Sequence, residues 1–358
     1  MRAPPLPLQY THHPHSCATP APHGPALLLA DTSLPLEKRL DDLLGRMSLH
    51  QKIGNMFQNG KMAFGNDVVP VGGDYPSMAM PNLGVGEFIF MGQGNVYRGA
   101  SNGCNINCCS CYDPPTCSGG ACCCIDKAAT QFPQGTGVAA TWNLPLIFEM
   151  GMVTSDESWA LQNRANESKS PTDYRSGASS VINILRDGRW GRAPETYGEC
   201  PELTGEVAVA LNKALTGYAA LNATGREHGD YLKIMTTVRH FVAYAGPDSQ
   251  RFHFNAQVSD DDLRFTYLPA WKKLVDTDTV SGVMSAISGL NGIPSAAHKE
   301  LLTDMLRGEW GFNGYVISDC DTIGAISSSF HYTANVEEAT AIGTKIHALS
   351  RYVLRACR

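Results

Sequence analysis

Charge is scarce in this chain. Asp, Glu, Lys and Arg make up only 17% of its 358 residues, and the net charge is −6. That balance leaves no basic footprint, which excludes nucleic acid as the main partner. Long hydrophobic runs are missing too. The longest early apolar stretch, Pro25 to Ala30, falls far short of the roughly 20 residues that a membrane helix needs, so no membrane partner is expected. The first 30 residues, rich in Pro and His, lack the charged start, apolar middle and small-residue cleavage site of a secretory leader. Nor are there two well-spaced Cys-x-x-Cys knuckles for a structural zinc. What remains is 43% apolar residues, enough for a large core, and 35 glycines, which point to many tight turns.

Cysteine is unevenly placed. Eight of the 12 cysteines crowd one segment: Cys104, Cys108, Cys109, Cys111, Cys117, Cys122, Cys123 and Cys124. A disulfide-stapled surface loop in an oxidising compartment, a zinc cluster and low-complexity sequence without defined pairing are the three readings. The sequons at Asn166 and Asn222 lean toward an extracellular or secretory location.

Periodicity organises the rest. Leu36, Leu40, Leu43, Leu44 and Met47 share a helical face, and Ser48 with Gln51 reads as a capping box. Gly84 to Met91 reads as a buried strand, followed by a polar, Gly- and Cys-rich insertion over residues 99–126. Strands are then expected at Ser180–Leu185, Ile234–Val238, Gly282–Ile287 and Tyr315–Ser318. Helices are expected at Glu202–Leu221, from Ser259 to a kink at Pro269, and at Glu300–Arg307. This alternation implies an α/β fold with a parallel sheet, and the length favours a TIM-like (β/α)8 barrel with a Cys-rich loop insertion over an open sheet.

Three of these strands end in polar residues: Arg186-Asp187, Arg239-His240 and Ser318-Asp319. Barrel active sites form at that end of the strands. Arg186, Arg189 and Arg192 are spaced around Asp187, Trp190 and Glu195; a guanidinium fork suits vicinal hydroxyls, and Trp offers a flat face to a sugar ring. A salt-bridged loop that only holds shape fits the same residues. Arg239 beside His240 suits ring hydroxyls. Asp319, leaving an apolar strand, suits a rigidly held nucleophile, with Asp321 as a rival two residues on.

Three strings go further. GFNGYVISDCD (311–321) resembles the nucleophile signature of glycoside hydrolase family 3. RDGRWGRAPETYGECP (186–201) resembles that family's RDPRWGRxxETYGEDP, and TTVRHFVAY (236–244) its Lys-His-Phe motif. The resemblance covers roughly Leu34 to Thr344, leaving residues 1–33 as a tail, 34–345 as the catalytic barrel and 346–358 as an atypical ending. It implies a retaining, exo-acting β-glycosidase that releases terminal xylose or glucose from an oligosaccharide or aryl glycoside, without metal or organic cofactor. Asp319 is then the nucleophile. Arg192, Arg239, His240 and Glu87 hold the sugar, with Trp190 in the site wall. RFHFNAQVS leans toward the β-xylosidase and arabinosidase branch.

Four departures qualify that expectation. Arg239 stands where the family has Lys, and Ile287 where it has a Tyr near the nucleophile. The motif around Glu87 is scrambled. The second, α/β sandwich domain, which usually donates the acid/base carboxyl, is missing. Glu195, Glu199 and His253 are the substitutes the sequence offers, and nothing in it singles one out. A barrel that binds carbohydrate without turnover, or a fragment, is the competing reading; a Cys-rich interaction protein is a third.

Overall fold

The computed structural model describes residues 31, 33–46, 130, 132–167, 176–229, 231–319 and 321–347. The expected strand at Gly84–Met91, Glu87, the Ser48 capping box and the Cys-rich segment lie outside them. The chain falls into two compact units, Met1–Ser48 and Leu49–Arg358.

In the first unit, helix α1 spans Leu36–Arg46, as the leucine spacing predicts. Glu37 lies in its first turn and Arg46 in its last, each facing the favourable end of the helix dipole. Asp42 and Arg46 close an i,i+4 pair at 2.9 Å.

The second unit is built on four parallel strands in the order β1-β2-β4-β7: Ser176–Val181, Met235–Phe241, Gly282–Ser285 and Tyr315–Ser318. Every crossover between them carries a helix, as parallel pairing requires. Registers such as Val238 with Val283 and Val283 with Val316 align their exit ends. The described residues thus give an α/β arc of parallel strands with helical crossovers; they do not close a barrel. Three two-residue strands form a side sheet: β3 (Asn255–Ala256), β5 (Gly289–Leu290) and β6 (Ile293–Pro294). The β5–β6 turn is Asn291-Gly292, both at positive φ (50° and 92°), the pairing that a tight hairpin favours.

Helices α2 (Gly135–Ala139) and α3 (Leu144–Glu167) precede β1, and α4 (Pro201–Thr216) follows it. Helix α4 starts with Pro at its first turn and stops at Gly217, whose φ of 100° admits the left-handed cap; its N–H bonds the carbonyls of Lys213 and Ala214. The apolar pattern running on to Leu221 does not prolong it, because that cap ends the ladder first. Helices α3 and α4 cross at Gly151, where an added Cβ would stand 2.7 Å from the Ala214 Cβ. Ser259 caps the next helical segment by accepting from the Asp262 N–H at 3.1 Å, and Pro269 opens α5 (Pro269–Asp276) after a wide turn at Leu263–Tyr267. Glu300–Glu309 winds with i→i+5 bonds, and α6 (Thr322–Ser328) and α7 (Val336–His347) follow β7.

Ile147, Leu211, Leu215, Val238, Phe241, Trp271 and Leu274 meet in one apolar core between the sheet and α3, α4 and α5. Phe241 and Trp271 pack edge to face at 4.9 Å, an aromatic geometry favoured by the ring quadrupoles. The core holds the inner face of β2 rigid just before it reaches His240.

Candidate active site

Asp319 emerges directly from β7 and is almost covered, at 8% exposure. Its Oδ2 stands 3.6 Å from Nε2 of His240, near the end of β2. The same Nε2 lies 3.1 Å from Nη1 of Arg192. Arg192 in turn grips Glu195 with two parallel bonds, Nε to Oε1 and Nη2 to Oε2, each 2.8 Å. Arg239 approaches the same carboxylate from β2, Nη2 to Oε2, at 3.8 Å. Sequence-distant segments therefore bring Asp319, His240, Arg192, Arg239 and Glu195 into one chain of contacts.

The fork of Arg192 fixes Glu195 in one geometry because a planar guanidinium matches both carboxylate oxygens. Burial pushes the Glu195 carboxyl up. Hydrogen bonds from Arg192 and the charges of Arg192, Arg239 and Arg251 outweigh it and hold the group below the ordinary range. Held this way, the Glu195 carboxyl favours its charged form and is engaged by two arginines. Burial also lowers Arg192, but Glu195 and then Asp319 reverse this and keep it charged.

His240 is driven the other way. Burial, then Arg192, Arg239 and Arg251, push its imidazole well below 6.5, so it is neutral. Arginine has only donors to offer, so Nε2 of His240 accepts from Arg192 and the ring proton sits on Nδ1, which faces Asn183 Oδ1 at 3.4 Å.

The run from Arg186 to Glu195 does not act as one cluster. Arg186 turns away and donates to the carbonyls of Ala243 (3.3 Å) and Ala245 (3.4 Å), its guanidinium over the rings of Phe254 and Tyr267. Asp187 and Arg189 form an exposed pair with each other, which lowers the Asp187 carboxyl to about 2 through the hydrogen bond from Arg189. Trp190 is 2% exposed and stands edge-on to Tyr244 at 5.4 Å, so it backs the site wall and offers no open face to a sugar. Ile287 packs in that same wall with Trp190 and Tyr244.

The remaining candidates also sort out. Asp321 adopts a left-handed conformation (φ 59°) and begins α6 instead of continuing β7, so it does not share the exit side of Asp319. Glu199 is exposed. His253 is exposed and faces the Ser329 carbonyl through Nδ1 at 3.2 Å. Two residues went unweighed in the sequence: Arg251, whose charge acts on both Glu195 and His240, and Asn183, 2% exposed and bonded to His240. A polar Asn inside the apolar run VINIL was the available signal, since a buried amide must find partners.

The sequence model of the glycosyl hydrolase family 3 N terminal domain matches residues 115–355. The chain is 34% identical to Beta-D-xylosidase 1 of Arabidopsis thaliana over 87% of its own length and 35% of that protein. It is 33% identical to Beta-xylosidase/alpha-L-arabinofuranosidase 1 of Medicago sativa subsp. varia, again over 87% and 35%. The chain thus spans about a third of the length of the curated relatives it matches. Among solved structures, its fold is similar to that of a GH3 exo-beta-xylosidase in complex with a xylobiose aziridine activity-based probe. The TM-score is 0.64 and the identity 22%, over 89% of this chain and 36% of that one. A beta-glucosidase from Listeria innocua in complex with isofagomine matches with a TM-score of 0.61 and 22% identity, over 87% and 40%. With the motif strings in order and the Asp319–His240–Arg192–Glu195 contacts in place, the chain belongs to glycosyl hydrolase family 3 and carries its N-terminal domain.

Proposed function

We propose that this chain carries the sugar-binding and nucleophile half of an exo-acting, retaining β-glycosidase that releases terminal β-linked xylose or glucose from oligosaccharides. The single observation behind this is the position of Asp319, rigid at a strand end and 3.6 Å from an imidazole held by Arg192. Its carboxylate attacks the anomeric carbon, the leaving oxygen departs with the bonding pair, and a glycosyl ester forms; water then displaces the ester carboxylate. Arg192, Arg239 and His240 hold the glycone hydroxyls, and Glu87 belongs to the same subsite. The acid/base carboxyl belongs about 5–5.5 Å from the nucleophile in a retaining enzyme. With Glu195 committed to two arginines, this reading leaves that role to another group. Closure of the four-stranded arc into an eight-stranded barrel, a disulfide-bearing insertion at residues 99–126 and a secretory location complete the reading.

The xylosidase names of the relatives favour xylosides. The test is incubation with aryl β-xyloside and aryl β-glucoside, with a 2-fluoro glycoside as trap, followed by peptide mass mapping. An adduct on Asp319 that Asp319→Asn abolishes is the expected result; an adduct elsewhere, or hydrolysis untouched by that variant, overturns the assignment. A second reading, a sugar-binding barrel without turnover, is favoured by Ile287, which offers no hydroxyl to orient the nucleophile. It predicts saturable sugar binding and no adduct.

A further inference from the structure

Strand β1 loses its ladder contact with β2 just where β2 reaches the site. The last backbone bond between them runs from the Ile182 N–H to the Arg239 carbonyl at 3.0 Å. Three residues later, the Leu185 N–H has turned to Gly198 instead. His240 would then lack a partner strand for both its peptide groups, inside the protein, where an orphaned polar group is costly. Asn183 supplies both. Its Nδ2 donates to the His240 carbonyl at 2.7 Å, and its Oδ1 accepts from the His240 N–H at 2.8 Å. The same Oδ1 faces the ring Nδ1 at 3.4 Å. A primary amide is the side chain that presents one donor and one acceptor at this spacing, as a peptide does.

We propose that Asn183 is a positioning residue: its side-chain amide stands in for the missing strand and holds His240 with the proton on Nδ1 and the Nε2 lone pair toward Arg192 and Asp319. The reading that His240 then meets a sugar hydroxyl rests on the function proposed above; the placement of the proton does not. Around the imidazole, Arg192 and Arg239 disfavour a second proton, Arg251 adds to them, Asp319 opposes them across 3.6 Å, and the uncharged Tyr244 ring stands edge-on at 5.3 Å. Among the described residues, Asn183 is the β1-side group that tells Nδ1 from Nε2. Without it the ring turns or changes tautomer, and Arg192 loses its acceptor.

The test uses the full chain labelled with ¹⁵N-histidine, the His240 signals being assigned by their loss in His240→Gln. Long-range ¹H–¹⁵N spectra should show a protonated Nδ1 and an unprotonated Nε2, unchanged from pH 8 to pH 6. Asn183→Asp keeps shape and acceptor but loses the donor and adds charge. His240 should then titrate about 1–3 units higher, as for any imidazole given a carboxylate partner. Asn183→Leu removes both bonds. It should yield mixed tautomers and weaken glycoside binding about tenfold, the effect of one lost well-placed hydrogen bond. If Asn183→Leu fails to fold, Asn183→Asp decides alone. An Nε2-protonated wild type, or a titration that Asn183→Asp leaves in place, overturns the proposal. Nδ1 protonation as described with no sugar binding by any variant overturns the proposed function and leaves the role of Asn183 standing.

Discussion

Arg192 and Glu195, three residues apart, close a two-bond fork whose atoms are almost entirely shielded from water, and Arg239 leans on the same carboxylate. Removing a buried partner of this kind leaves an uncompensated charge. Glu195→Ala should therefore cost roughly 3–5 kcal/mol in urea unfolding. The isosteric Glu195→Gln should cost less, because Gln keeps one acceptor for Arg192. A loss under about 1 kcal/mol for Glu195→Ala would show that water screens the pair and that the fork contributes as little as a surface contact.

Stability should fall with acid in a defined window. His240 is held neutral by burial and by Arg192, Arg239 and Arg251, and His347 is lowered to about 4, first by burial. In the unfolded chain each takes a proton as pH drops through 6.5, while the folded forms do not. Below 6.5 the unfolded state binds more protons, so stability declines; well above 6.5 these two imidazoles contribute no slope. Each imidazole contributes a slope of up to about 1.4 kcal/mol per pH unit. Glu195, lowered below 4.5, steepens the loss at still lower pH. Unfolding free energies at pH 7.5, 6.5 and 5.0 check this. His347→Phe should reduce the slope between 6.5 and 5 by about one proton's worth; an unchanged slope would show that His347 already takes its proton in the folded state.

Cys200 caps α4 with its sulfur, accepting from the Leu203 N–H at a long 3.5 Å. The family string that this stretch resembles carries Asp there. Carboxylate oxygens are better acceptors at a helix start and also meet the positive end of the helix dipole. Cys200→Asp should raise stability by about 1 kcal/mol, read as a higher melting temperature. No gain, or a loss, would mean that the thiol has a partner the helix start does not reveal.

Gly151 lets α3 and α4 touch. A methyl there meets the Ala214 Cβ at 2.7 Å and the Leu211 carbonyl at 2.9 Å. Gly151→Ala should cost about 1–3 kcal/mol through overpacking. The double variant with Ala214→Gly should recover part of it, which a double-mutant cycle measures as coupling. Strict additivity would place the strain elsewhere.

Legibility from sequence followed the strength of each local signal. β7 was readable to the residue, because YVIS is apolar, short and bounded by glycine and aspartate. The Ser259 cap was equally plain, whereas the helix expected to kink at Pro269 breaks earlier, into a wide turn at Leu263–Tyr267 with a new helix starting at Pro269. β1 was misplaced toward Ser180–Leu185: its paired residues, SGASSV, carry no strand signal of their own and are held by the neighbouring β2. Asp319, His240, Arg192 and Arg239, which the motif strings single out, do converge. What sequence order could not supply was direction. Arg186, Arg189 and Arg192 are equivalent in composition, yet one enters the site, one faces solvent and one turns into the loop beyond β2. Partners distant in sequence made that choice.

The placement of Arg186 bears on how the rim of the site behaves. Its guanidinium ties two carbonyls of the segment carrying Tyr244 to the rings of Phe254 and Tyr267. Those pieces of chain share one fixed cation, so none of them swings alone. Any widening on that side has to shift the whole cluster as a unit or break two hydrogen bonds and two ring contacts together.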